Sequence, residues 1–252
     1  MRLKVTFQLE GKIVLPIHYH PILQGVLYSS ILLPSLRNRL HEQGFSDGKK
    51  PAKLFTFSRL HGRFELQKQK GMIAFESPVD WIVSSAVDEV VDQLASGLLR
   101  APYILIGSNK VKVRQVQMEK YHGTTRNIQI RLLSPVTTYR TEQLPDGKKY
   151  THYISPWVPE SAVLIKRNLA FKARALGQEC TEEEVGIRLI PISEPTDKSE
   201  KVVMFKSSPI RAWDGDFRLA GDPYFIKLAW EAGLGGKSSE GFGCFETFSN
   251  GR

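Results

Sequence analysis

The order in which strand-like and helix-like segments follow one another constrains the fold of this chain more than any other feature of its sequence. The chain opens with apolar residues at alternate positions, namely Leu3, Val5, Phe7 and Leu9. Alternation is the period of a half-buried strand. Apolar residues then recur at helical spacing after Pro21, at Leu23, Leu27, Ile31, Leu36 and Leu40. This spacing predicts a helix that is bent or broken near Pro34.

The segments that follow predict further strands around a second helix. Strand character, with aromatic and β-branched side chains, is found at residues 54–58, 72–75, 103–106 and 111–116. Between the second and third of these segments, one helix face is formed by Val83, Val87, Val90 and Leu94. This helix is predicted to begin near Pro78 and to end at Gly97. The order β-α-β-β-α-β over roughly the first 120 residues is the ferredoxin-like pattern.

The second half of the chain repeats the pattern. Strands are predicted at residues 128–132, 185–190, 202–205 and 244–248. Helices are predicted from Pro159 to about Leu176 and from Pro223 to Trp230. We therefore expect an α+β fold of two tandem ferredoxin-like (RRM-like) domains. Their expected bounds are residues 1–122 and 123–252, joined by a short polar linker at residues 120–126.

The charge of the chain favours a polyanionic partner. Its 252 residues include 35 Lys and Arg against 26 Asp and Glu, which gives a net charge of +9. Several cations flank the predicted linker: Lys110, Lys112, Arg114, Lys120, Arg126, Arg131 and Arg140. This distribution predicts a cationic groove between the domains that attracts nucleic acid. Lys166, Arg167, Lys172 and Arg174, on the helix that begins at Pro159, indicate either phosphate contacts or a solvated face.

Other classes of protein are less consistent with the sequence. Cys180 and Cys244 form no CxxC pair, so neither a disulfide framework nor a zinc site is indicated. His18 and His20 have no third metal-type ligand nearby in sequence, which favours a structural or RNA-contacting role. We see no secretory signal at the amino terminus and no membrane-spanning stretch. The expected location is the cytoplasm, and no cofactor or metal is expected.

A glycine-rich segment between the last predicted helix and the last predicted strand is the sharpest local signal. It runs from Gly233 to Gly243 and has five glycines in eleven positions. Glycine uncovers backbone amides that can bind a phosphate, and Lys237 adds positive charge. The residues predicted to bind RNA here are Gly233, Gly235, Lys237, Ser238, Ser239, Gly241 and Gly243. The alternative is a flexible helix-to-strand turn, and the segment does not match the Walker pattern.

The chain resembles the CRISPR-associated endoribonucleases that process repeat-containing transcripts into guide RNAs. These Cas6-type proteins are a branch of the RAMP superfamily. The resemblance lies in the glycine-rich segment and in three stretches in the family's order: residues 23–28, 40–42 and 53–58. It spans both halves of the chain, and the family's known fold agrees with the tandem ferredoxin-like prediction.

The resemblance implies catalytic roles for His41, Tyr28 and Lys53 in a metal-independent cleavage of CRISPR repeat RNA. In that reaction the 2'-hydroxyl attacks the adjacent phosphate, giving a 2',3'-cyclic phosphate and a free 5'-hydroxyl. An imidazole can exchange the required protons near neutral pH. Tyr28 could orient the ribose or share the proton transfer. Lys49 and Lys50 precede Lys53, so any of these three amines could reach the phosphate.

Two alternatives remain at the level of sequence. One is a non-catalytic subunit that binds CRISPR RNA in a ribonucleoprotein complex, against which His41 argues. The other is a general pair of RRM-like modules, but the aromatic RNP signature is absent from the sequence. The repeat that is bound, dimerisation and association with other CRISPR effector proteins are open at this point.

Overall fold

The computed structural model describes residues 1–46 and 51–248, so Lys49 and Lys50 lie outside the described residues. The helices are α1 (His20–Ser30), α2 (Pro34–Asn38), α3 (Asp88–Arg100), α4 (Glu160–Ala175) and α5 (Pro223–Ala232). The strands of the first half are β1 (Arg2–Gln8), β2 (Lys12–Pro16), β3 (Phe45–Ser46), β4 (Pro51–Ala52), β5 (Phe55–Phe57), β6 (Phe64–Gln67), β7 (Met72–Glu76), β8 (Val79–Ser85), β9 (Ile104–Ile106) and β10 (Asn109–Glu119). Those of the second half are β11 (Asn127–Leu132), β12 (Thr138–Gln143), β13 (Lys149–Ile154), β14 (Ile187–Pro191), β15 (Glu200–Phe205), β16 (Ser208–Trp213), β17 (Asp216–Gly221) and β18 (Phe245–Phe248). Shorter turns are a π-helical turn at Arg39–Gln43 and 3-10 turns at Lys68–Lys70 and Ser238–Glu240.

The main sheet of the first half has the strand order β5-β8-β1-β10-β9, and its neighbours pair antiparallel. When β1, β5, β8 and β10 are numbered 1 to 4 in chain order, their order across the sheet is 2-3-1-4. This order is that of a ferredoxin-like sheet. Helix α3 packs on β1, β8 and β10, and α1 packs against α3.

The second half has the same arrangement in the sheet β14-β17-β11-β18. When β11, β14, β17 and β18 are numbered 1 to 4 in chain order, their order across the sheet is again 2-3-1-4. The hairpins β12–β13 and β15–β16 are inserted between these core elements. The prediction of two tandem ferredoxin-like units is therefore confirmed.

Three strand and helix predictions are wrong in detail. Residues 79–85 form strand β8 and not the start of a helix, because Val79, Trp81 and Val83 alternate inward along a central strand. The helix begins at Asp88. Residues 72–75 are not the third strand of the first ferredoxin-like unit. They pair with β2 and β6 in a small separate sheet, whereas β5 pairs with β8. Residues 202–205 belong to an inserted hairpin, and the third core strand of the second half is β17.

Buried Arg2 joins the two halves. Its side chain, on β1, donates hydrogen bonds to Ser84 in the same sheet and to the carbonyls of Trp230 and Phe245 in the second half. The guanidinium also lies 3.9 Å from the centre of the Trp230 ring. A buried charge needs such partners, so this contact fixes how the two sheets meet. Within the described ranges, none of the helices combines the length and apolar character needed to cross a bilayer.

The close approach of α1 and α3 gives a testable prediction of stability. A Cβ atom at Gly97 would lie 1.7 Å from the carbonyl oxygen of Ser30, so Gly97→Ala requires the helices to move apart. We expect a loss of about 1–3 kcal/mol in the free energy of unfolding. Gly25→Ala is the matched control, because Gly25 is also helical but has open space around its Cβ position.

Chemical denaturation measures both variants. Gly25→Ala should be neutral or stabilising by up to about 1 kcal/mol, since alanine favours a helix. Equal stabilities for the two variants would contradict the close packing of these helices.

Candidate active site

Tyr28, His41 and Lys53, which the sequence places in three separate segments, meet at the surface of the first half. Tyr28 lies near the end of α1, His41 in the π-helical turn, and Lys53 just before β5. The Lys53 Nζ atom donates to the Tyr28 hydroxyl at 3.1 Å and to the His41 carbonyl oxygen at 2.9 Å. The rings of Tyr28 and His41 are 5.3 Å apart, edge to face. His41 is exposed, so its imidazole is accessible to a substrate.

Two unusual backbone conformations bring Lys53 back to His41. Gly44 ends the π-helical turn with φ +63°, and a Cβ atom there would lie 2.9 Å from the Ala52 carbonyl oxygen. The glycine thus lets β3 and β4 pair closely. Leu54 follows Lys53 with φ +52°, which is rare for a residue with a side chain. Its carbonyl accepts hydrogen bonds from Ser85 Oγ and Ala86 N, and these contacts hold this strained turn in place.

Burial adjusts the proton affinity of two members of the cluster. It raises the pKa of the Tyr28 hydroxyl above its usual value, and the nearby Glu240 carboxylate adds to this rise. Tyr28 is therefore a neutral hydrogen-bonding group at neutral pH. Burial lowers the pKa of Lys53, and the positive charge of Lys206 lowers it further, while Glu240 acts in the opposite direction. Both shifts favour the neutral form, as expected for a partly desolvated site.

The glycine-rich segment lies between the two halves of the protein and contacts both. On the side of the first half, Thr56 Oγ1 donates to the Phe242 carbonyl at 2.9 Å, and Gln24 Nε2 donates to the Ser239 carbonyl at 2.7 Å. On the side of the second half, the Gly236 amide donates to the Thr137 carbonyl at 2.8 Å. The segment therefore fixes the position of Glu240 beside the Tyr28 and Lys53 cluster.

Lys172 on α4 anchors this segment from inside the protein. Only 5% of its surface is exposed. Its Nζ atom donates to the carbonyls of Gly233 and Gly235, at 2.6 and 3.2 Å, and to Ser238 Oγ at 2.8 Å. Three acceptors match the three protons of an ammonium group. The interpretation of Lys172 as part of a solvated or phosphate-binding face is therefore wrong, because this side chain points into the core.

Several backbone amides of the glycine-rich segment already donate hydrogen bonds within the protein. The amides of Gly236, Gly241 and Gly243 donate to carbonyls of Thr137, Ser238 and Pro135. Lys237 has φ +53°, and its Nζ atom lies 3.6 Å from Glu240 Oε2. RNA binding by the predicted residues of this segment stays a prediction, in which Lys237 is the charged member.

The two neighbouring histidines differ in their surroundings. His20 is buried, and its ring stacks on those of Phe242 in the glycine-rich segment and of Tyr19. The distances between ring centroids are 5.4 Å and 5.7 Å, respectively. Burial lowers the pKa of His20 to about 3, helped by the charges of Arg59 and His18, so the ring is neutral. His18 is exposed, and its Nδ1 atom accepts a hydrogen bond from the Met204 amide at 3.3 Å. His20 is thus a packing residue between the two halves, in line with the structural role considered from the sequence.

Sequence reasoning missed Lys172, Glu240 and Lys206 as parts of this site. Glu240 lies within the glycine-rich segment, so its position close to Lys237 was a signal in the sequence. Lys206 lies in the turn of the β15–β16 hairpin. Nothing in the sequence near Lys206 indicates that this hairpin reaches a site in the first half.

Two ferredoxin-like halves joined through a glycine-rich segment define a tandem ferredoxin-like protein. The family model "CRISPR associated protein Cas6, C-terminal" matches residues 117–247, and "CRISPR-associated protein Cas6, N-terminal" matches residues 13–117. The chain belongs to the Cas6 family of CRISPR-associated proteins.

Individual relatives cover nearly the whole chain. The CRISPR-associated endoribonuclease Cas6 1 of Methanocaldococcus jannaschii is 24% identical over 250 residues, which are 96% of this chain and 91% of that protein. The CRISPR-associated endoribonuclease Cas6 of Pyrococcus furiosus is 26% identical over 250 residues, covering 93% of this chain and 84% of that protein. The solved structure of a Cas6-related gene product from Pyrococcus furiosus has a TM-score of 0.84 at 19% identity, covering 100% of this chain and 99% of that chain. This last likeness supports the fold.

Lys172→Met tests the anchoring of the glycine-rich segment through the pH dependence of stability. Burial holds the pKa of Lys172 at about 7, below the ordinary value of 10.5. Between these values the unfolded chain binds a proton that the folded chain does not. The parent should therefore gain stability relative to Lys172→Met as the pH rises from about 7 toward about 10. Denaturant unfolding across this range measures the difference.

Lys166→Met, on the same helix, controls for the general effect of removing a lysine from α4. A stability difference between the parent and Lys172→Met that stays constant with pH would contradict the buried, desolvated amine.

Proposed function

We propose that this chain is a metal-independent endoribonuclease that cleaves CRISPR repeat RNA in precursor transcripts to release guide RNAs. The observation that carries the proposal is the surface cluster of Tyr28, His41 and Lys53 in a member of the Cas6 family. Its curated relatives are named endoribonucleases. The cluster supplies an imidazole, an amine and a hydroxyl, which can provide the proton transfer and charge stabilisation that such a cleavage uses.

In the proposed reaction the ribose 2'-hydroxyl next to the cleaved bond attacks the phosphorus atom. The bond from phosphorus to the 5'-oxygen breaks, so the products are a 2',3'-cyclic phosphate and a 5'-hydroxyl. The exposed His41 imidazole transfers a proton to or from the reacting oxygens. Lys53 stabilises the negative charge that develops on the phosphate. Tyr28, which burial keeps protonated, orients the ribose or the phosphate through its hydroxyl.

The two halves are proposed to divide the work. Residues 1–122 carry the catalytic cluster, and residues 123–252 carry the glycine-rich segment that contacts the RNA backbone. The net charge of +9 favours this polyanionic substrate. We also propose a cytoplasmic location, because both Cys180 and Cys244 are free thiols and the RNA substrate is an intracellular transcript.

His41→Ala tests the catalytic assignment. A panel of labelled CRISPR repeat RNAs is incubated with the protein in the presence of a chelator, and the best substrate is used for single-turnover kinetics. The variant should cleave roughly a hundredfold to ten-thousandfold more slowly, because a proton-transfer group is lost. Its affinity for the RNA should be nearly unchanged.

Two controls accompany this measurement. His122→Ala removes another exposed imidazole, outside the cluster, and should cleave at the parental rate. A substrate with a single 2'-deoxy nucleotide at the cleavage position should bind but resist cleavage. Unaffected cleavage by His41→Ala would remove His41 from the mechanism, and RNA binding without cleavage by the parent would favour the non-catalytic subunit.

Lys237→Ala tests the contact of the glycine-rich segment with a phosphate. Loss of one phosphate contact should weaken RNA binding and reduce the salt dependence, lowering the slope of log K against log salt by about 0.7 for a single strand. Binding titrations at several salt concentrations measure the slope. Lys70→Ala, in the exposed 3-10 turn of the first half, removes the same charge and should leave the slope nearly unchanged. An unchanged slope for Lys237→Ala would contradict the contact.

A further inference from the structure

Lysines from three distant segments act on one carboxylate beside the catalytic cluster. The Lys237 Nζ atom lies 3.6 Å from Glu240 Oε2. Lys53 lies just before β5, and Lys206 lies in the turn between β15 and β16. Burial raises the pKa of Glu240, and the charges of Lys237, Lys206 and Lys53 all oppose that rise. The carboxylate therefore lies within electrostatic range of all three amines, and it is in contact with that of Lys237.

The β15–β16 hairpin is fixed so that its turn reaches this place. Phe205 and Ser208 pair at the end of the hairpin, and Lys206 has φ +55° in the turn between them. Phe205 belongs to the same buried apolar cluster as Phe242 of the glycine-rich segment. Because Phe242 is two residues from Glu240, this packing holds the hairpin turn close to the carboxylate. Lys206 itself is exposed and can meet a ligand.

The charges of Glu240 and the three lysines do not balance. The charges of three amines act on one carboxylate, so positive charge exceeds negative charge in a place that is partly removed from water. The side chains of Lys237 and Glu240 are only 22% and 26% exposed. The positive charge of Lys206 also disfavours the charged form of Lys53. Partly desolvated cations without full compensation favour the binding of an anion.

We propose that Lys53, Lys206 and Lys237 form an anion site for the phosphate at or next to the cleaved bond, and that Glu240 is an internal counter-ion which this phosphate displaces. In the free protein the carboxylate keeps the three amines together. When RNA binds, a phosphate takes over the contacts with the amines. Lys206 thereby becomes a substrate-binding residue that the second half supplies to a site in the first half. The proposal rests on the proposed function, since the phosphate belongs to the RNA substrate.

This exchange predicts opposite effects for the two new residues. Lys206→Met removes a ligand of the phosphate and should weaken binding of the RNA by roughly threefold to tenfold, with a slope against salt that is smaller by about 0.7. Glu240→Gln removes the competing carboxylate and should tighten binding by about twofold to fivefold. A carboxylate that served only to stabilise the fold would not produce tighter binding when replaced.

The experiment measures equilibrium binding of a labelled repeat RNA that carries a 2'-deoxy nucleotide at the cleavage position, so that cleavage cannot interfere. Lys198→Met is the control for Lys206→Met, because Lys198 is an exposed lysine just before the same hairpin. Glu246→Gln, on β18, controls for the general gain of one positive charge. Lys206→Arg should restore most of the affinity. Thermal unfolding of each variant reports whether the fold is retained.

The proposal is overturned if Lys206→Met binds the RNA as Lys198→Met does, or if Glu240→Gln binds no more tightly than Glu246→Gln. A parent that binds this RNA but does not cleave the all-ribose version would overturn the proposed enzymatic function while leaving the anion site supported or rejected by the binding data. Failure of the two proposals is therefore distinguishable.

Discussion

Lys172 carries its amine into the interior of the protein and donates to two carbonyls and one hydroxyl of the glycine-rich segment. A desolvated amine is costly to bury, and the three acceptors offset that cost only while the segment keeps its shape. The segment in turn contacts the first half through Phe242 and Ser239. The position of Glu240 near Tyr28 and Lys53 thus depends on a contact made deep in the other half.

The site is consequently shared between two units that resemble each other in topology. The first half supplies Tyr28, His41 and Lys53 from one surface, whereas the second half supplies charged groups on a loop and a hairpin. Arg2 and the glycine-rich segment fix the relative placement of the two sheets. In the proposed function, this tandem arrangement gives a long backbone substrate two surfaces to bind and places the proposed reacting groups on one of them.

The electrostatics of the site balance two requirements. Capture of a polyanion favours many cations, but cations that are close together and partly buried destabilise one another. We propose that Glu240 resolves this conflict in the free protein, because the charges of Lys237, Lys206 and Lys53 all act on its carboxylate. His41, whose carbonyl accepts a hydrogen bond from Lys53, is exposed, and in the proposed reaction its imidazole transfers the proton.

Local patterns in the amino-acid sequence were enough to predict two tandem ferredoxin-like units and the extent of α4 and α5, and the family resemblance pointed to Tyr28, His41 and Lys53 as a proposed site. These features follow from local periodicity and short motifs, which neighbouring residues encode. These patterns failed at the third core strand of both halves: Val83 lies at helical spacing from residues of α3 although β8 ends between them, and residues 202–205 have the pattern of a core strand although β17 forms it. The inward direction of Lys172 and the approach of the β15–β16 hairpin to the first half became visible only in the folded chain. Burial and contact between distant segments depend on how the two sheets pack, and no local pattern specifies that packing.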